Sequence, residues 1–356
     1  MLAVFKRCYQ NILPVIATAT VCLLIISKSG EASSGIINGL KICSGVIIPS
    51  LFPFMVFSAF VIKSGTYIKI GKIIGRPINL AFNLPRCSSG AVIMGFLGGY
   101  PIGISMTSEL LKLGAIEKRE AKRLALFSVN AGPAFVISAV GGVIYQSKNI
   151  GIILFASVVL SSLTIGIFMG IYSRIKGEKA TEKTILKSNT TIPVAFVSAT
   201  ESAARAILSI CVWVVTFSAV ISFVKLLSIP NEASILLCGA LEVTSGCSMS
   251  VGVLPIGVTA ALISFSGFCI FFQILPHLKN IGIKFSVFFL SRIVCAILSF
   301  IYCTALTKIF PCSSEVFSNS VTPLAKSFSI SIPTTICLIL TCVVLIFEVD
   351  RKKKIC

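Results

Sequence analysis

The sequence predicts an all-α polytopic membrane protein, with about eight transmembrane helices and two oppositely oriented re-entrant hairpins arranged as an inverted repeat. Three observations carry this: extreme apolarity, a one-sided placement of Lys and Arg, and Gly, Pro or polar breaks inside apolar segments. The chain is 56% hydrophobic and 12% charged, with a mean hydropathy of +1.00. A soluble domain averages about 25% charged residues, so the solvent here is lipid. A span needs about 20 mainly apolar residues. Candidates fall near 12–27, 36–62, 124–145, 150–173, 206–229, 255–276, 284–307 and 328–347. Lys6 and Arg7 ahead of the first run also suit the opening of a signal peptide. No small-residue cleavage site precedes Lys28 and the rest is membrane, so a retained helix within 1–35 is expected.

Composition also excludes function classes. The net charge of +19 reads first as a topology signal in basic loops, and not as a nucleic-acid surface. The 14 Cys are scattered without a Cys-x-x-Cys pair, and His277 is the one histidine. No metal or redox framework follows, no cofactor is expected, and the thiols read as small core hydrophobes.

Topology follows from charge. Two further apolar stretches, 87–113 and 233–253, behave differently from the spans. If 87–113 crossed the bilayer, the cluster Lys63, Lys69, Lys72, Arg76 and Arg86 would lie opposite Lys112, Lys118, Arg119, Lys122 and Arg123. Positive residues collect on the cytoplasmic side, so the segment is expected to enter and leave from that side, and 233–253 from the outside. Only Lys28, Lys148, Lys225, Lys308 and Lys326 then lie outside, and both termini are cytoplasmic. The connection 174–205 is expected to be a basic linker leading into an interfacial helix over Ile192–Arg205. The tail Arg351–Lys354 is a topology anchor.

The breaks support the hairpins. Gly95-Phe96-Leu97-Gly98-Gly99-Tyr100-Pro101 interrupts the first, because Gly loses the most backbone entropy in a helix and Pro lacks the N–H donor. Glu242-Val243-Thr244-Ser245-Gly246-Cys247-Ser248 interrupts the second at a similar depth. The chain therefore divides into a first repeat, 36–145, a helix and linker, 146–205, a second repeat, 206–276, and two final helices with a basic tail, 277–356. Echoes align the repeats: Phe57-Ser58-Ala59 with Phe217-Ser218-Ala219, Gly95 with Gly239, and Ser128 to Gly132 with Ser264 to Gly267. Secondary transporters use this plan, with the solute near the midplane where the repeats meet.

The candidate site lies at those breaks. Asn130-Ala131-Gly132-Pro133 divides the span 124–145, and the Gly98-Gly99-Tyr100-Pro101 turn starts another half-helix. A half-helix N-terminus offers free N–H groups and partial positive charge, which suits a carboxylate or phosphate; the plainer reading is a packed proline kink. Arg292, roughly 12 Å into its span at the helical rise, must face a cavity or a partner. It is a clamp for an anionic solute or the partner of Glu242 or Glu109. Glu242 at the second tip is a coupling carboxylate or a hydrogen-bonded brace, and Glu109 is a gating group or an interfacial mate of Lys112. Thr244, Ser245, Ser264 and Ser266 offer hydroxyls to a ligand or join helices. Lys41 snorkels and has no assigned role.

In order and spacing, Pro49-Ser50-Leu51-Phe52-Pro53-Phe54, Gly95 to Gly103, Glu109-Leu110, Gly114-Ala115-Ile116, Glu120-Ala121 and Asn130-Ala131-Gly132-Pro133-Ala134-Phe135 resemble the sporulation integral membrane protein family of the YlbJ type. The resemblance covers about residues 50–145; the second half resembles the family in architecture. Val129 stands where that family often carries a polar residue. The resemblance implies a nucleoside-transporter-like gate fold and a role in endospore formation, moving dipicolinate, an aromatic dicarboxylate, across the membrane around the forespore.

The resulting expectation is a transporter of a small anionic solute working by alternating access, with the lipid bilayer as its surroundings and no covalent chemistry. Transport of another solute such as a nucleoside, or a non-transporting assembly or signalling role in sporulation, are the alternatives. A membrane enzyme is disfavoured, since no His cluster, acidic metal motif or serine with a nearby base appears.

Overall fold

The computed structural model describes residues 26–180, 191–227 and 229–310. The expected spans at 12–27 and 328–347 and the basic tail lie outside the described residues, apart from residues 26 and 27.

Among the described residues the chain is helical throughout. Helix α1, Ser29–Lys63, is continuous and contains a π-helical turn at Cys43–Ile47, just before Pro49 and Pro53. Helix α2, Thr66–Phe82, follows and bends by 103° into the next segment. Two short helices, α3 (Ser89–Leu97) and α4 (Tyr100–Lys112), then fold back on one another. Helix α5 (Lys118–Phe127) begins with a capping box, in which the Glu117 N–H donates to the Glu120 carboxylate at 2.7 Å. An irregular break, 128–133, separates it from the π-helical α6, Ala134–Ile144. Helix α7, Lys148–Ile175, completes the first series.

The same order then recurs. A long helix, α8 (Ile192–Val224), leads to a second folded-back pair, α9 (Asn231–Leu241) and α10 (Val243–Ser250). A broken helix follows, α11 (Ile256–Phe265) and α12 (Gly267–Ile281), and then α13, Phe285–Ile309. The two series run in opposite directions. Gly35 of α1 lies against Ser218 and Ser222 of α8, Cys43 beside Cys211, and Lys63 donates to Ser198 at 2.9 Å, so partner numbers fall as residue numbers rise. The closing helices are antiparallel too: the Asn149 end of α7 meets Phe310, and the Ser162 side chain reaches Cys295. Small residues at these crossings let the backbones approach, as in membrane bundles.

Apolar side chains face outward on the long helices. Phe168 is 71% exposed, Leu208 65% and Leu290 61%. Such a belt is intolerable in water and natural in lipid. Helices α1, α7, α8, α11–α12 and α13 are each long and apolar enough to cross a bilayer. The chain is thus a multi-pass helical membrane protein.

Three local features differ from the sequence reading. The basic stretch after Lys63 is not a loop: α2 buries Tyr67, Gly71, Gly75, Ile78 and Phe82 on one face and exposes Lys69, Lys72, Ile73, Arg76 and Leu80 on the other. The expected interfacial helix at Ile192–Arg205 runs unbroken into the span. No Gly or Pro interrupts 194–224, and Arg205 is neutralised by Glu201 one turn away. The expected plain span 255–276 is broken, because Ser266 (φ 80°) and Gly267 (φ 74°) are both left-handed and end α11.

Candidate functional site

Each folded-back pair is held by glycine contact. A Cβ on Gly103 would fall against the Ser128 carbonyl and 2.9 Å from the Gly95 Cα. In the second pair Gly246 lies against Gly239 in the same manner. The turn between α3 and α4 needs Gly99 at φ 92°, a conformation that penalises any Cβ. Pro101 sits in the first turn of α4, where a missing N–H costs nothing.

The four helix breaks gather in the protein interior. A Cβ on Gly132, in the 128–133 break, would lie 3.0 Å from the Gly99 nitrogen, so the first tip packs on the first broken helix. A Cβ on Gly267 would lie 3.3 Å from the carbonyl oxygens of Gly239, Ala240 and Leu241, so the second tip packs on the second break. The halves are then cross-linked. The Tyr100 hydroxyl donates to the Ile263 carbonyl at 2.7 Å, and the Tyr145 hydroxyl lies 2.6 Å from that of Thr259.

Arg292 is 1% exposed and meets neither Glu242 nor Glu109 in an ion pair. Its guanidinium donates to the Val129 carbonyl at 2.6 Å and to the Leu126 carbonyl, and lies 5.2 Å from the Phe288 ring. It therefore caps the C-terminal end of α5, where unpaired carbonyls gather negative partial charge. Asn130 completes that cap: its side chain donates to the Phe127 carbonyl at 2.7 Å and accepts from Ser162.

Glu242 is likewise turned inward. Its carboxylate accepts the N–H groups of Thr244 at 2.8 Å and Ser245 at 2.7 Å. This is an N-cap for α10, and it neutralises that half-helix terminus from within the chain. The N-termini of α4 and α6 have no acidic residue in their first turns and no side-chain cap, so nothing in their own first turns offsets their partial positive charge. Beside the breaks, the buried Ser128 and Ser264 hydroxyls have no hydrogen-bond partner.

A cavity of about 190 Å³ starts beside the first tip, at Pro101 and Ile102 in the first turn of α4, and runs along Ser105 and Glu109. Its other walls are Met55, Ser58 and Lys63 of α1, Ser202 of α8 and His277 of α12. Glu109 sits at the mouth, 3.8 Å from Lys112. Of the residues singled out from the sequence, Pro101 and Glu109 line this cavity, and Ser245 lines a shallow crevice between α1 and α8 at the opposite end. Gly98, Gly99, Tyr100, Asn130, Gly132, Thr244, Ser266, Glu242 and Arg292 are buried around the breaks, with Pro133 half-buried among them. Sequence reasoning missed Ser58, Ser105, Ser202 and His277. A histidine inside an apolar span is a signal in itself, and the three serines share the cavity only because α1, α4 and α8 converge. Among the described residues no three His, Cys, Asp or Glu side chains come together as metal ligands.

Comparison with known proteins finds a relative over most of the chain. The sporulation integral membrane protein YlbJ of Bacillus subtilis (strain 168) is 26% identical over 326 aligned residues, which cover 79% of this chain and 78% of the relative. No family model matches the chain. No solved structure matches it. The chain is thus an integral membrane protein similar over most of its length to a sporulation integral membrane protein.

Proposed function

We propose that the protein moves a small anionic solute across the bilayer by alternating access, and that the solute is dipicolinate during endospore formation. One observation carries the reading: two antiparallel series of like elements bring four helix breaks together, with a cavity that begins in the first turn of α4, next to the first tip. Transporter sites are built in this way, from discontinuous helices at the meeting of inverted halves. On this reading the chain crosses eight times, the two folded-back pairs dip into the membrane from opposite sides, and both termini are cytoplasmic. The membrane is the one around the forespore, and no covalent chemistry is involved.

The cavity mouth, with Lys63, Glu109 and Lys112, lies on the face that the distribution of Lys and Arg assigns to the cytoplasm. The form described is then closed to the outside. The Tyr100–Ile263 and Arg292–Val129 hydrogen bonds are among the contacts that must rearrange for the other face to open. The cavity volume of about 190 Å³ suits a small solute, since drug-sized pockets begin at roughly 300 Å³. An anion has two half-helix N-termini without side-chain caps, those of α4 and α6, and the Lys63 ammonium to meet.

The test is uptake of labelled dipicolinate into proteoliposomes. Wild-type flux is expected to exceed that of protein-free vesicles. Ser105→Phe, which takes up the room a solute needs, is expected to lower it by about tenfold or more, equivalent to about 1.4 kcal/mol of lost solute binding. Flux equal to protein-free vesicles defeats transport of dipicolinate, and a labelled nucleoside arm then reports whether another solute moves.

A further inference from the structure

A second cavity lies apart from the helix breaks, at the ends of α5 and α7. It measures about 430 Å³ and is lined by Arg119, Lys122 and Arg123, by Phe168, Met169 and Tyr172, and by Ser173, Lys176 and Glu178. We propose that it is a binding site for an anionic phospholipid, the phosphate held by the α5 cations and Lys176 and an acyl chain lying along α7.

Charge gives the first part of the argument. Arg119 pairs with Glu117 at 2.9 Å, and Arg123 lies 3.5 Å from Glu178, so the two carboxylates are matched by the two guanidinium groups. Lys122 and Lys176 add a net positive charge to the cavity, with Lys176 resting 4.7 Å over the Tyr172 ring. The Arg123 guanidinium also donates to the Asn83 carbonyl at 3.0 Å, while its buried Nε has no hydrogen-bond partner. A buried donor left without an acceptor is costly, and a phosphate oxygen beside it supplies one.

The wall decides between a lipid and a free anion. Phe168 is 71% exposed and Tyr172 54%, and Ile175, at 79%, continues the same outward face of α7. Leu80 of α2, 72% exposed, extends the apolar margin, and Arg174 ties α7 to it through the Asn79 and Leu80 carbonyls. A dissolved phosphate gains nothing from such a margin. A phospholipid uses both parts, and basic recesses on the cytoplasmic side of helix bundles are where anionic headgroups bind.

The experiment measures thermal unfolding of the full chain in detergent during titration with phosphatidylglycerol, with parallel titrations of phosphatidylcholine and inorganic phosphate. Phosphatidylglycerol is expected to raise the midpoint saturably while the other two leave it in place. In Lys122→Gln/Lys176→Gln the half-saturating lipid concentration is expected to rise about 25-fold, each cation near an anionic headgroup being worth about fivefold. Lys69→Gln/Lys72→Gln, which removes as much charge from α2, is expected to leave it unchanged. Equal stabilisation by phosphatidylcholine, full stabilisation by inorganic phosphate alone, or equal losses in the two double variants would each overturn the assignment.

Discussion

Gly103→Val is expected to abolish the folded protein. The Gly103 position is where α4 meets both α3 and the 128–133 break, against the Gly95 Cα and the Ser128 carbonyl. Neither neighbour is a flexible side-chain tip, so a valine can be fitted only by separating the pair. Overpacking usually costs about 1–3 kcal/mol, and here the obstacle is backbone on two sides. Whole-protein stability is commonly about 5–15 kcal/mol, and loss of this contact also frees the tip that carries Gly99 and Tyr100. The check is recovery of a monodisperse protein after detergent extraction, followed by its thermal midpoint. Gly45→Ala is the control, because nothing lies within 4 Å of the added methyl. It is expected to match the wild type or gain up to about 1 kcal/mol. A Gly103→Val protein as stable as wild type contradicts the close packing described.

Arg292→Met is expected to cost about 2–4 kcal/mol of stability, and to lower any transport with it, because it strips two buried carbonyls of a charged donor. The substitution keeps length and apolar stem but leaves the Leu126 and Val129 carbonyls facing an apolar side chain. An unpaired buried acceptor costs about 1–3 kcal/mol, and bonds to charged donors are the stronger ones. Arg292→Lys should recover roughly half of the loss, since an ammonium keeps the charge and has donors but lacks the planar fork that reaches both carbonyls at once. The two variants separate two roles. A cap lowers the unfolding midpoint in the order wild type, Lys, Met, without any solute present. A solute clamp leaves that midpoint unchanged and weakens solute binding alone, and such a result would remove Arg292 from the capping role.

Much of this arrangement was legible in the sequence because its signals are local. Gly98-Gly99-Tyr100-Pro101 and Asn130-Ala131-Gly132-Pro133 cannot continue a helix, and the chain breaks at both. Glu242 followed by Thr244 and Ser245 marked a second tip, and there an N-cap forms. Helix α2 was hidden because its Lys and Arg read as loop charge. Its buried residues, Tyr67, Gly71, Gly75, Ile78 and Phe82, nevertheless keep helical spacing, and two of them are glycines that hydrophobic patterning does not count. The Ser266 break went unread because the segment is apolar on both sides and the left-handed residue is a serine.

The role of Arg292 was illegible for a different reason. Its partners are backbone carbonyls 163 and 166 residues away, and no side-chain pattern announces a carbonyl. Sequence offered Glu242 and Glu109 as mates for an arginine in lipid, and both are occupied by closer neighbours: Glu242 by the N–H groups of its own next turn, Glu109 by Lys112. Burial of the tips and the position of the cavity beside them depend on how α1, α4 and α8 converge, a property of packing alone.

The account rests on the two folded-back pairs entering the membrane from contrary sides. Labelling of single cysteines with a membrane-impermeant maleimide, in right-side-out and inverted vesicles, tests this directly, at Lys69 and Lys118 flanking the first pair and at Glu232 and Gly252 flanking the second. All four positions are exposed. The expected result is reaction of Lys69→Cys and Lys118→Cys from the cytoplasmic side only, and of Glu232→Cys and Gly252→Cys from the outer side only. Labelling of the two flanks of either pair from opposite sides would make that pair a crossing and contradict the account.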